Sequence, residues 1–340
     1  MKNRLTIILL LIVLMAGIPH ASAQVAMRGG RGLIRTLSAD VVAPADIYVN
    51  AYFGMYFERI AKESLAKFYS FYINSTFGLS KNFELNMHIA PYVDDQVHIF
   101  GRLGNSELGL KYKMPFSGSR LQTGIYGFFI FPTAQEENVP YDVFFLDKAG
   151  WGAKALFTLD FSDASHRVPV KLYANIGYVD HDIEDEFFVS EADQMLFSAG
   201  IKFPVRSTQF FLEYSGEVFI NNSDSIAFDE NTSRISAGTR FLGPWGMTMD
   251  IAGDYGLNKR VPLTERNMYK KLYSKWRIWV GLTKRFSVYK YFDKRSKLAR
   301  KKQEEELRKL KLIKEQRRKA EEEMKKMKDA LKENEPEKDE

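Results

Sequence analysis

The stretch Val168-Pro169-Val170-Lys171-Leu172-Tyr173-Ala174-Asn175-Ile176-Gly177-Tyr178 places Val168, Val170, Leu172, Ala174, Ile176 and Tyr178 on one side and Lys171, Tyr173 and Asn175 on the other. A period of two belongs to a β-strand, whose successive side chains point to opposite faces. The apolar row is long enough to cross a bilayer. Residues 151–161 repeat the design, setting Trp151, Ala153, Ala155, Phe157, Leu159 and Phe161 against Lys154, Thr158 and Asp160.

The start of the chain indicates the compartment. Lys2 and Arg4 precede an apolar run from Leu5 to Met15, and Ala21-Ser22-Ala23 offers small residues for cleavage. Residues 1–23 are therefore expected to be a signal peptide, with the mature chain beginning at Gln24. The run is short for a spanning helix, which needs about 20 apolar residues. No other stretch approaches that apolar length. If the mature protein is integral to a membrane, it must cross as a closed barrel, because only helices and closed barrels satisfy every backbone group in lipid.

Twelve strands are predicted, near 47–57, 68–79, 83–92, 106–114, 121–132, 150–161, 168–179, 195–205, 209–220, 233–242, 246–256 and 276–288. Tight connections at 80–82, 116–119, 162–167, 206–208 and 243–245 come after the second, fourth, sixth, eighth and tenth strands. The remaining connections, 60–67, 93–105, 133–149, 180–194, 221–232 and 257–275, are mostly long. Alternation of short and long connections is the topology of outer-membrane barrels, and an even strand count returns both ends to one side. The predicted fold class is thus all-β: a transmembrane antiparallel barrel of about twelve strands over 47–288, with 24–46 expected in the periplasm. Cysteine is absent, which excludes disulfides, a thiolate nucleophile and a Cys-ligated zinc site. Aromatic content of 14% is compatible with interfacial girdles, since Tyr92, Tyr112, Phe131, Trp151, Tyr178, Trp245, Tyr255, Trp276 and Phe286 lie near predicted strand ends.

In the last strand Trp276, Ile278, Val280, Leu282 and Phe286 share a face, interrupted by Lys284. This looks like the terminal signal read by barrel-assembly machinery, here internal because a tail lies beyond it. Together with Arg31-Gly32-Leu33-Ile34-Arg35-Thr36-Leu37-Ser38-Ala39-Asp40 and Tyr48, the pattern over residues 30–290 resembles uncharacterised outer-membrane β-barrel proteins of Gram-negative phyla, of the porin-like and OmpA-type kind. Such relatives often append an OmpA-like peptidoglycan-binding domain. No such folded domain comes after Val288, so that binding is not carried over.

The tail beyond the barrel is charged and free of Gly and Pro from Arg295 to Lys332. Lys, Arg and Glu among Leu, Ala and Met predict a periplasmic α-helix over 295–332, with a disordered acidic tail at 333–340. About 37 residues at about 1.5 Å each would reach on the order of 55 Å. Leu310, Ile313, Ala320, Met324, Met327 and Leu331 sit at coiled-coil spacing, although Arg317 occupies a seam position. Self-association or a periplasmic partner is one reading, and a solvated single helix laced by Glu and Lys is the other. The mixed charges and the signal peptide argue against nucleic acid, despite a pI near 9.1.

The rows opposite the apolar faces nominate the lumen lining. Early strands supply Glu84, Asn86, His88 and Lys111, and middle ones Lys154, Lys171, Asn175 and Lys202. Later strands supply Glu213, Glu217, Arg234, Arg240, Asp250, Asp254 and Arg285. Twelve strands lie between the filled eight-stranded barrel and the open porin of sixteen or more. Two outcomes are open: a narrow path for small polar solutes, its selectivity set by these charges, or a lumen closed by Lys/Arg to Asp/Glu pairs.

An enzyme is not expected. Twelve-stranded outer-membrane phospholipases show that such walls can carry chemistry, but this needs a His beside a nucleophile. The mature chain offers His88, His98, His166 and His181, with no Gly-x-Ser-x-Gly or His-Glu-x-x-His. No cofactor or metal is expected. The acidic connection with Asp180, Asp182, Glu184, Asp185, Glu186, Glu191 and Asp193 carries oxygen ligands that suit Ca²⁺ or Mg²⁺, yet neither spacing nor a glycine turn matches an EF-hand. Lys259, Arg260, Arg266, Lys270, Lys271 and Lys275 make the last loop basic and able to meet lipopolysaccharide phosphates.

Overall fold

Alternation along every strand leaves each with one apolar and one mixed face, and such strands can satisfy lipid only by closing on one another. In the computed structural model they do so. It describes residues 25–59, 65–94, 101–115, 118, 120–134, 149–161, 170–181, 193–205, 207–220, 229, 231–243, 247–258, 275–287 and 315. The strands are β1 (Asp46–Arg59), β2 (Leu65–Gly78), β3 (Phe83–Val93), β4 (Ser106–Lys113), β5 (Leu121–Phe131) and β6 (Gly150–Asp160), then β7 (Lys171–Asp180), β8 (Gln194–Val205), β9 (Thr208–Phe219), β10 (Thr232–Leu242), β11 (Met247–Gly256) and β12 (Trp276–Ser287). Each pairs antiparallel with the next, and β1 pairs with β12, so the barrel has no edge.

Two strand starts depart from the sequence expectation by three residues, and the other boundaries by two or fewer. The connection expected at 60–67 shrinks to 60–64, because β1 and β2 run on in register to Arg59 and Leu65. The seventh strand begins at Lys171 instead of 168. Val170 contributes a carbonyl to Phe161 N–H at 3.0 Å, while Val168 and Pro169 lie outside the described residues.

Phe53, Leu110, Ile125, Phe129, Trp151 and Ile176 are among the large apolar side chains that point outward, exposed. A contiguous apolar exterior on a closed ladder is a lipid-facing surface. Inside, large side chains lie across glycines of the neighbouring strand: Tyr126 over Gly109, Phe128 over Gly152, Phe211 over Gly238 and Trp279 over Gly54. A Cβ at any of these glycines would fall within 2.5 Å of the facing ring. The lumen is filled by this interdigitation.

It is filled further by the chain's own beginning. The segment expected in the periplasm, 24–46, is corrected by the structure: residues 25–45 fold inside the barrel. Val25, Ala26, Leu33, Ile34, Leu37 and Ala39 are buried, Leu33 and Ile34 completely. Ala26, Leu37 and Ala39 join Tyr126, Phe128, Ile130 and Leu156 in one apolar cluster, while Met27, Leu33 and Ile34 join Tyr52, Tyr72, Phe211 and Trp279 in another. The physical reason is burial: so many apolar side chains on a short segment gain by leaving water.

The segment is shaped by two small loops. Gly29 and Gly30, at φ of 88° and 78°, turn the chain so that Ala26 N–H reaches the Gly30 carbonyl at 2.7 Å. A second loop pairs Gly32 with Leu37. At Gly32 a Cβ would sit 2.3 Å from the Thr36 carbonyl oxygen, a backbone atom that cannot yield. Gly32→Val is therefore expected to open this loop while leaving the ladder intact, exposing Arg31 and Arg35 to trypsin in the detergent-folded protein. Unchanged cleavage would count against the loop's dependence on that glycine.

Residues 288–340 form a separate unit, of which Glu315, helical and exposed, is described. The expected helix 295–332, the tail 333–340 and the signal 1–23 lie outside the described residues.

Candidate functional site: the plugged lumen and the chamber beside it

Backbone groups in the inserted segment have no ladder of their own, so the inward side chains of the wall must satisfy them. Glu213 of β9 accepts from Arg35 N–H at 3.0 Å and Thr36 N–H at 3.1 Å. Asn175 of β7 both accepts from Leu37 N–H, at 2.7 Å, and donates to the Leu37 carbonyl, at 2.9 Å. Thr158 of β6 accepts from Ala39 N–H, Glu84 of β3 from Val42 N–H and Thr76 of β2 from Gly30 N–H. From β1, Asn50 donates to the Ala26 carbonyl, and the Tyr52 hydroxyl oxygen lies 3.2 Å from the Val25 carbonyl oxygen. Lys111 of β4 donates to the Ser38 carbonyl, and Arg240 of β10 to those of Gly32 and Val25. The Arg35 guanidinium clamps Asp254 of β11 at 2.5 and 3.1 Å, and Trp279 of β12 donates to the same carboxylate at 2.6 Å. Nine strands thus hold the segment directly.

Charge pairing completes the closure. Lys111 meets Glu84 at 2.8 Å with both side chains fully buried, and Arg240 meets Asp250 at 2.6 Å. Lys171 pairs with Asp160, and Arg285 with Asp46 at 2.7 Å. Lys202 lies over the Tyr173 ring at 5.6 Å. The structure thus places Glu84, Lys111, Asn175, Glu213, Arg240, Asp250 and Asp254 around the plug. It places Lys154, Glu217, Arg234 and His88 elsewhere, around a chamber.

Asp40 and Lys113, 2.9 Å apart and partly exposed, tie the last part of the segment to β4. Burial raises the Asp40 carboxyl, but Arg31 and Lys113 lower it more, so it titrates below its ordinary value. A depressed folded-state value stabilises above the ordinary Asp range, and that contribution is lost as pH falls through the depressed one. Asp40→Asn is accordingly expected to lower stability by less than about 1 kcal/mol near neutral pH. Urea midpoints of the two proteins should differ at about pH 7 and draw together as the pH falls through the depressed Asp40 value. Equal midpoints throughout would mean that the Asp40–Lys113 pair does not hold the segment to β4.

The chamber lies on the side of the plug that faces the odd-to-even connections. Its cavity of about 100 Å³ has Ala26, Ile34 and Leu37 of the plug as floor and Tyr72, Phe128, Val179 and Leu196 among its walls. Arg28 and Arg35 of the plug also line it, as do Glu107, Lys154, Glu217, Arg234, His88, His181 and Gln194. Arg28 approaches Glu107 at 3.5 Å and Arg234 approaches Glu217 at 3.3 Å. Tyr126 O–H donates to Glu107 at 2.8 Å. His88 Nδ1 lies 2.5 Å from Asn74 Oδ1, and His181 Nε2 lies 2.9 Å from Gln194 Oε1. His98 and His166 lie outside the described residues. So do residues 182–192 of the acidic connection and 259–271 of the basic one. Among the described residues no cluster of three or more metal ligands occurs.

Sequence reasoning missed Arg28, Arg35, Glu107 and Tyr126. Glu107 was findable: in Glu107-Leu108-Gly109-Leu110-Lys111 it shares the inward row with Lys111. The two arginines carried no such signal, because the segment that bears them has no strand period.

No protein-family model matches the chain, and no curated protein matches it significantly. Among solved structures it is similar to the NanC porin, at 10% identity over 69% of this chain and 98% of that one, with a TM-score of 0.48. It is similar also to the COG4313 outer membrane channel from Pseudomonas putida F1, at 10% identity, 73% and 98% coverage and a TM-score of 0.49. The KdgM porin is similar at 7% identity, 70% and 99% coverage and a TM-score of 0.43. The membrane-spanning character of this barrel is carried by its own closed ladder and apolar exterior.

Proposed function

We propose that this is an outer-membrane, porin-like barrel for small polar solutes whose N-terminal segment plugs the lumen at rest, so that passage requires displacement of the plug. The observation that carries this reading is the anchoring of residues 25–42 to nine strands by side chains, with no backbone ladder between segment and wall among the described residues. A segment held by side-chain bonds can leave without unpairing any strand. β1 begins and β12 ends on the side of the short connections, which supports a periplasmic N-terminus and a periplasmic tail. In that orientation the chamber faces outward, the outward connections can meet lipopolysaccharide, and barrel-assembly machinery would read β12. The helix 295–332 is proposed to remain periplasmic, available for self-association or a partner.

The test is planar-bilayer conductance of the mature chain against one lacking residues 25–42. Discrete steps that become larger or more frequent on deletion are expected. The plug also favours a second reading, in which the barrel anchors an envelope partner through its tail and conducts nothing. A folded deletion protein that stays electrically silent would displace the channel reading in favour of that one.

A further inference from the structure

Charges in a lumen are stable when each has a counterpart, and the chamber is nearly balanced in this way. Arg28 has Glu107, Arg234 has Glu217, and Arg35 has Asp254. Lys154 is the remainder. Among the described residues no carboxylate lies within 4 Å of its ammonium group, whose neighbour is the Phe128 ring, 5.4 Å from centroid to Nζ. The lysine stem crosses Gly177 of β7, where a Cβ would lie 2.6 Å from Lys154 Cγ. That glycine makes room for the stem across the neighbouring strand.

A second group in the same cavity also lacks an acceptor. Gln194, 2% exposed, spends its carbonyl on His181, while its Nε2 amide is buried with no hydrogen-bond partner. A buried donor left unmade costs free energy comparable to a lost hydrogen bond. An unpaired cation and an orphaned amide donor, on one cavity also lined by Phe128, Val179 and Leu196, ask for the same thing: an anionic oxygen on a partly apolar molecule.

We infer that the chamber binds a small organic monocarboxylate, its carboxylate facing Lys154 and the Gln194 amide and its hydrocarbon part against Phe128 and Leu196. The ligand supplies the charge that the wall lacks. Acids already engaged, Glu107 and Glu217, exclude a dianion by adding negative charge nearby, and the apolar wall selects carboxylates that carry a hydrocarbon body over inorganic anions. The inference rests on the reading of the chamber as solute-facing, but capture is separable from passage: calorimetry reads the first and conductance the second.

The experiment titrates the full mature chain, folded in detergent, with sodium benzoate and sodium butyrate by isothermal calorimetry against detergent alone. Benzyl alcohol serves as the uncharged probe. One saturable site for at least one carboxylate is expected, with benzyl alcohol failing to compete. Lys154→Gln should weaken binding by about tenfold to a hundredfold, the range of a hydrogen bond to a charged group, and Lys154→Arg should retain most of it. Lys81→Gln, on an exposed turn, should change nothing, and heat-modifiable gel migration shows that each variant is folded. Absence of saturable binding by both carboxylates overturns the inference. So does undiminished binding in the Lys154→Gln protein, or equal binding of benzyl alcohol, which would reduce the chamber to an apolar void.

Discussion

Asp250→Ala is expected to lower the stability of the folded barrel by about 3–5 kcal/mol, the cost of breaking a buried ion pair from one side. Arg240 is 1% exposed and donates through Nε and Nη2 to the Asp250 carboxylate at 2.6 and 2.7 Å. Tyr52 donates its hydroxyl to the same carboxylate. Without it, a guanidinium remains in the lumen among neutral acceptors, the Gly32 and Val25 carbonyls and the Tyr52 hydroxyl, and neutral acceptors do not replace a counter-charge. The double variant Arg240→Met/Asp250→Leu removes both charges and should recover most of the loss, since apolar replacement of a whole buried pair is often neutral. Equilibrium urea unfolding in lipid vesicles, followed by tryptophan fluorescence, measures both. A double variant no more stable than Asp250→Ala would mean that the charges do not act as a pair.

That pair illustrates how much was legible beforehand. Arg240 and Asp250 are directly opposed across the β10–β11 connection, as Glu84 and Lys111 are across β3–β4. Alternation assigns each to an inward row, and hairpin register then brings opposite charges face to face. The wall could be read because lipid leaves a strand little choice: one face must be apolar throughout, and the period of two is the consequence. The plug could not. Residues 25–45 have no period, and their bonds join positions far apart in sequence, Arg35 to Asp254 across 219 residues and Leu37 to Asn175 across 138. Their apolar content, Val25, Met27, Leu33, Ile34, Leu37, Val41 and Val42, was the signal against a periplasmic placement. The chamber was less legible still. That Lys154 is left over depends on Arg234 of the neighbouring strand pairing Glu217 and on Arg28 of the plug pairing Glu107; the second is a consequence of where the plug sits and not of any local pattern.

The plug's hold on the wall should be most sensitive at Glu213. This carboxylate, 1% exposed, takes two adjacent backbone N–H groups, Arg35 and Thr36, and stands 4.0 Å from the Arg35 guanidinium. Gly200 beside it leaves the space that Leu33 fills, since a Cβ there would fall 2.3 Å from Leu33 Cδ1. Glu213→Leu deprives two buried donors of their acceptor, and each charge-assisted bond contributes about 1.5–3 kcal/mol. Loss of about 3 kcal/mol in the docked state alone raises the undocked population about a hundredfold. The chain contains no cysteine, so a single thiol reports on docking without ambiguity. With Ser38→Cys, a site 5% exposed in the docked segment, maleimide labelling of the Glu213→Leu protein should accelerate by about that factor. Channel openings should rise in parallel if undocking admits solute. Glu213→Gln keeps one acceptor oxygen and should fall between. Labelling that is equally slow in all three proteins would show that the segment is held elsewhere. Fast labelling without added conductance would separate plug release from passage and move the function toward anchoring.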